Sequence, residues 1–245
     1  MSAALTPDLP PLLHRGRTLS LRRTAPQDAA FLYANMYGNP EFLRLFRLND
    51  TVASEAQLRD RLTRRLQTTP AQSGYLEMLI SHAKHGAIGI VALADYSAAH
   101  RRTELLIGLF DRDRRTFSYG VEATMLVGDL AFNYYNIHRL YAYSYAYNDT
   151  SKSVMASGGF ALEGVLKDHV FDTQTQAFVD LHLYALTRDR FRTNPRLARL
   201  SQRLVGRDIT QPPPPGNSPV PPPQNSQSDR PTFTASGPMM MGRRS

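Results

Sequence analysis

The sequence predicts an α/β (α+β) domain on a mixed, mainly antiparallel sheet, and three observations carry that prediction. From Glu104 to Phe160 the chain reads as strand, tight turn, helix, strand, polar turn, second helix and a Gly158-Gly159-Phe160 ending. Two pairs of apolar, β-branched or aromatic runs are joined by short polar links and read as hairpins: Gly74 to His82 with Gly86 to Tyr96, and Ala161 to Val170 with Phe178 to Thr187. Finally, Arg139 to Tyr147 has period two, with Tyr141, Tyr143, Tyr145 and Tyr147 alternating with Leu140, Ala142, Ser144 and Ala146. One strand face is therefore all tyrosine, either as a half-buried amphipathic surface or with a hydroxyl placed in a substrate cleft.

Residues 1–16 contain Pro7, Pro10 and Pro11 and no sustained period, which predicts a flexible N-terminal arm. Leu19 to Arg23 reads as the first strand. Thr24-Ala25-Pro26-Gln27 has the form of a capping box ahead of Phe31, Leu32 and Met36, and Ser54-Glu55-Ala56-Gln57 repeats it ahead of Leu58, Leu62 and Leu66. Glu104 to Phe110 follows a polar link as the next antiparallel strand. After the turn, Val121, Met125, Leu126 and Leu130 form a helical stripe, and Gly128 within it costs about 1 kcal/mol relative to Ala. The domain is expected over 17–190. Asn194-Pro195 breaks the chain, and Leu197, Leu200 and Leu204 with interleaved arginines predict a basic amphipathic helix within 191–210. Ten of the 17 prolines lie from Pro212 onward, so 211–245 is expected to be a disordered, Pro-rich tail of polyproline II character.

Composition excludes several chemistries. There is no cysteine among the 245 residues, hence no disulfide, thiolate metal site or cysteine nucleophile. No His/Asp/Glu group has metal-ligand spacing, so no metal is expected. The chain lacks an apolar leader and any run long enough to span a membrane, which suggests a cytoplasmic protein. The net charge is +8, and the basic residues are arginine except for Lys84, Lys152 and Lys167. Arg188, Arg190, Arg192, Arg196, Arg199, Arg203 and Arg207 crowd one segment against Asp189 and Asp208, which predicts a basic face and an anionic partner for it.

The turn Arg114-Arg115-Thr116-Phe117-Ser118-Tyr119-Gly120 ends a strand and opens a helix. Unpaired N–H groups and a partial positive charge at such a helix start suit a pyrophosphate, and Arg115 adds a full charge. With Asn148-x-x-Ser151 and Gly159-Phe160 following at the family's spacing, the stretch resembles the GNAT superfamily of acyl-CoA N-acyltransferases, especially its ribosomal-protein alanine N-acetyltransferase branch. The family pattern Arg/Gln-x-x-Gly-x-Gly/Ala stands here as Arg115-x-x-Ser118-x-Gly120. Serine keeps the backbone N–H but loses the glycine's easy access to positive φ.

That resemblance implies splayed central strands, Glu104 to Phe110 and Arg139 to Tyr147, flanked by helices, with acetyl-CoA as cosubstrate in the opening. It assigns the cofactor's pantetheine arm to the backbone near Leu109 and Phe110 and to Asn148, and its phosphates to Arg115, Thr116, Phe117, Ser118, Tyr119 and Gly120. Asn148 also has the form of a turn residue capping the next helix. Ser151 matches the position proposed to protonate the departing thiolate, where many relatives use a Tyr four residues further along; that position here is Met155. Glu104, on the strand beside the opening, is the candidate base for a primary amine, or else a strand-start acid paired with Arg101 or Arg102. The implied acceptor within the branch is a protein N-terminus. The competing reading is a basic RNA-, ribosome- or protein-binding module with a degenerate cofactor site.

Overall fold

Side-chain alternation divides this chain's sheet into two apolar faces, each covered by helices. The computed structural model describes residues 12–46, 52–110 and 117–213. Its strands are β1 (Leu12–Arg15), β2 (Leu19–Arg23), β3 (Leu76–His82), β4 (Gly86–Ser97), β5 (Arg102–Leu109), β6 (Arg139–Tyr145), β7 (Ala161–Asp172) and β8 (Ala177–Thr187). They form one sheet in the order β1-β2-β3-β4-β5-β6-β8-β7, antiparallel throughout except for the central β5–β6 pair.

The helices are α1 (Ala29–Leu32, continuing as a π turn to Tyr37), α2 (Pro40–Leu45), α3 (Glu55–Leu66), α4 (Pro70–Ser73), α5 (Phe117–Asp129), α6 (Asp149–Ser157), α7 (Arg188–Arg192) and α8 (Pro195–Leu204). On one sheet face Leu105, Val91 and Leu140 pack against α5, α6 and α8. On the other, Leu79, Ile90 and Phe110 pack against α1, α2 and α3. Each fully buried aliphatic side chain contributes about 1.5–3 kcal/mol, so the cores fix where β5 and β6 lie.

Local chemistry explains most element starts. Ser54 Oγ accepts the Gln57 N–H at 3.2 Å and caps α3, whose Leu58 and Leu62 are buried one turn apart. The expected Thr24 cap is displaced by one residue. Asp28 accepts the Ala25 N–H at 2.8 Å instead, while the Thr24 hydroxyl donates to Glu77 across the sheet. Three further features depart from expectation. Leu12–Arg15, inside the expected arm, pairs with β2 as an edge strand. Asn39 and Pro40 start α2, capped by the Phe42 N–H on Asn39 Oδ1 at 3.1 Å. The fold also runs on past Arg190, because Phe191, Leu197, Val205 and Ile209 are buried in the α5 core.

Asp129, with no exposed surface, gathers this C-terminal segment. It accepts from His14 Nε2 at 2.5 Å, from Asn133 Nδ2 at 2.5 Å and from Arg207. Arg192 adds bonds to Asn133 Oδ1 at 2.5 Å and the Thr210 carbonyl at 2.6 Å. Ending the chain after Pro213 is therefore expected to leave its melting temperature within about 2 °C of the full chain. Ending it after Asp208 removes buried Ile209 and the acceptor of Arg192, and should cost about 2–5 kcal/mol. Differential scanning calorimetry of the two truncations checks this.

Candidate active site

β5 and β6 are joined by three ladder pairs, Arg102↔Arg139, Thr103↔Leu140 and Glu104↔Tyr141, and by none beyond. Past this apex β6 stays paired to β8, so the strands diverge and leave backbone groups of β5 without a ladder partner on that side. A small cavity of about 40 Å³ lies between them, lined by Leu105, Ile107, Ala142, Tyr143, Tyr145 and Ser151 among others. It adjoins a cleft of about 330 Å³, with which it shares walls at Leu45, Phe46, Ile107, Asn148, Ser151 and Met155. Phe117 and Gly120 of α5 and Thr150 and Ser151 of α6 bring two helix N-termini to that cleft.

Two glycines set its walls. A Cβ on Gly108 would lie 2.6 Å from Phe42, so only glycine lets α2 close the floor against β5. A Cβ on Gly120 would lie 3.1 Å from Val154, which fixes the approach of α5 to α6.

The sequence-derived residues divide as follows. Leu109, Phe117, Gly120, Asn148 and Ser151 all line the cleft. Asn148 Oδ1 also accepts the Ser151 N–H at 3.1 Å, so the capping role and the cleft position coexist in one residue. Phe110 turns into the α1–α3 core, with its ring 5.4 Å from Phe42 and its N–H on the Ile88 carbonyl at 2.9 Å. Ser118 is exposed. The Tyr119 side chain is not among the cleft-lining groups and reaches His82, Oη to Nε2 at 3.2 Å. Arg115 and Thr116 lie outside the described residues. Glu104 is 6% exposed at the splay apex, one residue before the cavity walls begin at Leu105. By alternation with Leu106 and Gly108 it faces the α1–α3 side, together with Tyr141.

Two polar groups of the sheet, one at the apex and one on β3, were not legible beforehand. Asp95, in a β-bulge with φ of 45°, accepts from both Tyr141 and Arg102, and Arg102 also donates to the Tyr141 hydroxyl at 3.0 Å. Burial first, then the bond to Asp95 and the nearby Glu104 carboxylate, hold the Tyr141 phenol well above its ordinary pKa. That same phenol, as donor, lowers the Asp95 carboxyl. Glu77, a lone acid in an apolar strand, is held by Thr24 Oγ1, Arg65 and Tyr75 at 3.0, 3.0 and 3.1 Å.

His82 is buried at the end of β3. Its Nδ1 accepts the Lys84 N–H at 3.0 Å, so the neutral ring carries its proton on Nε2, facing Tyr119. Burial, with His85 and Lys84 nearby, holds it below the usual imidazole range. Glu122, buried on α5, accepts the Thr18 and Leu19 N–H groups on its Oε1 at 2.9 and 3.0 Å and so ties β2 to the helix. Among the described residues no His/Asp/Glu group could hold a metal, and no helix is long and apolar enough to cross a membrane.

Comparison with known proteins agrees with this geometry. No curated protein sequence matches the chain significantly. Among solved structures, spermidine N-acetyltransferase from Vibrio cholerae, in complex with CoA and spermine, is similar with a TM-score of 0.62 at 18% identity, over 71% of this chain and 97% of the other. Ribosomal-protein-S5-alanine acetyltransferase from Vibrio fischeri aligns with a TM-score of 0.60 at 19% identity, over 70% of this chain and 93% of the other. At such identity the likeness establishes a shared fold. The sequence model of the acetyltransferase (GNAT) domain matches residues 18–161, more than half of the 245 residues. With the splayed pair, the helix-lined cleft and that match in agreement, the chain belongs to the GNAT acetyltransferase family.

Proposed function

We propose that this enzyme moves an acetyl group from acetyl-CoA to a primary amine by direct attack within a ternary complex, with a protein N-terminal amine as the acceptor. The observation that carries the reading is the divergence of β5 from β6 immediately after Glu104 and Tyr141, into a cleft where α5 and α6 begin. The unladdered edge of β5 offers backbone polar groups to an amide-bearing arm, and the α5 N-terminus at Phe117–Gly120 offers N–H groups to phosphates. The thioester supplies an acetyl carbonyl already activated toward an amine.

The chain's own residues supply the proton transfers. Glu104, on the α1–α3 side of the apex, accepts the proton of the acceptor ammonium, directly or through water. Ser151, at the third position of α6 and lining both cavities, gives its hydroxyl proton to the departing thiolate. Met155 lines the same walls and has no proton to give. A protein N-terminus is favoured over a small amine by a second groove of about 340 Å³ between α2 and the β7–β8 turn. It shares Tyr145 with the splay cavity and has room for the residues that follow a reacting N-terminus.

Thiol release from acetyl-CoA, followed against free-N-terminus peptides, their N-blocked counterparts, spermidine and an amino sugar, tests the reading. Turnover of the free peptides and none of the blocked ones is expected. Turnover confined to spermidine would retain the transferase and reject the acceptor.

A further inference from the structure

Most arginines of the described residues are engaged inside the fold. Arg22, Arg65, Arg102, Arg139 and Arg207 pair with acids. Arg188 and Arg192 of the basic segment donate to the backbone carbonyls of Ile137 and Thr210. They are ties, not surface charge. Seven described arginines have no side-chain hydrogen bond or ion pair, all of them exposed: Arg196, Arg199 and Arg203 on α8, Arg15 and Arg17 at the β1–β2 turn, and Arg64 and Arg190 singly on α3 and α7.

Arg196, Arg199, Arg203 and Arg17 form one surface, whereas Arg15, next to the His14 that faces Asp129, stands by alternation on the other side of the sheet. Arg196, Arg199 and Arg203 stand at i, i+3 and i+7 on α8, a row about 10 Å long on the side turned away from buried Leu197 and Ser201. Asn194 caps the helix through the Leu197 N–H at 3.0 Å, and α8 itself contains no acid. The Arg17 N–H donates to the Leu204 carbonyl at 3.0 Å, which sets the β1–β2 turn against the last turn of α8. Its guanidinium reaches Gly206, where a Cβ would lie 3.8 Å from Arg17 Nε, and so extends the row beyond the helix end. The Asp129 network fastens this whole segment to α5, so the charges are displayed on a fixed frame.

We propose that α8 and the β1–β2 turn bind the phosphate backbone of a nucleic acid without reading its sequence. Guanidinium forks suit phosphate oxygens bidentately, and an uncompensated row on a chain of net charge +8 attracts a polyanion. A protein partner would need an apolar or aromatic anchor, and a lipid surface would need an apolar wedge. Among the described residues the exposed large hydrophobics are Phe31, Phe117, Leu162, Val165, Phe171 and Phe178, none of which lies on α8 or the β1–β2 turn.

A labelled single-stranded RNA of about 20 nucleotides, titrated with the full chain across a salt series, tests this. Binding at low salt is expected, with log affinity falling against log salt at a slope of about −2 to −3 for three to four neutralised phosphates. The triple variant Arg196→Gln, Arg199→Gln, Arg203→Gln should bind at least about tenfold more weakly and flatten the slope by about 2. Removing as many charges on α3, by Arg59→Gln, Arg61→Gln and Arg64→Gln, should leave affinity and slope nearly unchanged. The proposal is overturned if the wild type does not bind at low salt, or if the α3 variant loses as much affinity as the α8 variant. It is also overturned if the α8 variant keeps RNA affinity while its KM for acetyl-CoA rises, because the row would then serve the cosubstrate's phosphates.

Discussion

Replacing Asp129 by alanine is expected to lower the unfolding free energy by about 3 kcal/mol, and hence the melting temperature by roughly 6–12 °C. Its carboxylate has no exposed surface and joins β1 through His14, the turn after α5 through Asn133, and the C-terminal segment through Arg207. Breaking a buried ion pair generally costs about 3–5 kcal/mol, because the remaining charge is stranded. The lower end applies here, since the Arg207 side chain is 31% exposed and can turn to water. Urea denaturation checks the value through the midpoint at constant slope. Asp129→Asn, which keeps acceptor and shape, should recover part of the loss; a loss below about 1 kcal/mol in the alanine variant would mean that the core alone holds α8.

Glu104→Gln and Ser151→Ala are each expected to lower turnover by about 10² to 10⁴, with acetyl-CoA affinity little changed. Both remove a proton-transfer group while leaving the cleft walls in place. Glu104→Gln should also lose the limb of the pH–rate profile that reports the base, whereas Ser151→Ala should keep it. Near wild-type turnover with an unchanged profile in Glu104→Gln would place the base elsewhere, with the Asp95–Tyr141 pair beside the apex as the next group to vary.

What the sequence disclosed was local. The period-two run from Arg139, the Ser54 cap and the two hairpins depend on neighbours within a few residues, and each occurs at its expected place. Thr24 misled for the opposite reason. Its hydroxyl serves Glu77, 53 positions away, which left Asp28 to bond the start of the first helical turn. The buried acids that tie distant segments together are legible only as oddities: Asp129 is an acid within an apolar helix stretch, and Glu77 an acid within an apolar strand. Nothing local told which partners would satisfy them. Tyr119 follows the same rule, since its position next to Gly120 suggested the cofactor while its hydroxyl is held by His82 from a distant hairpin. The Arg-rich segment was visible as charge, but its division into internal ties and free surface depends on where α8 docks.

The most direct test of the acyl-transfer account is calorimetric titration of acetyl-CoA into the full chain and into a folded Gly120→Val variant. The wild type should bind one equivalent. The variant should bind far more weakly, since even its Cβ would lie 3.1 Å from Val154 and its larger side chain would fill the α5–α6 mouth. Absence of binding by the folded wild type, or equal affinity in the variant, would contradict a cosubstrate seated between β5 and β6.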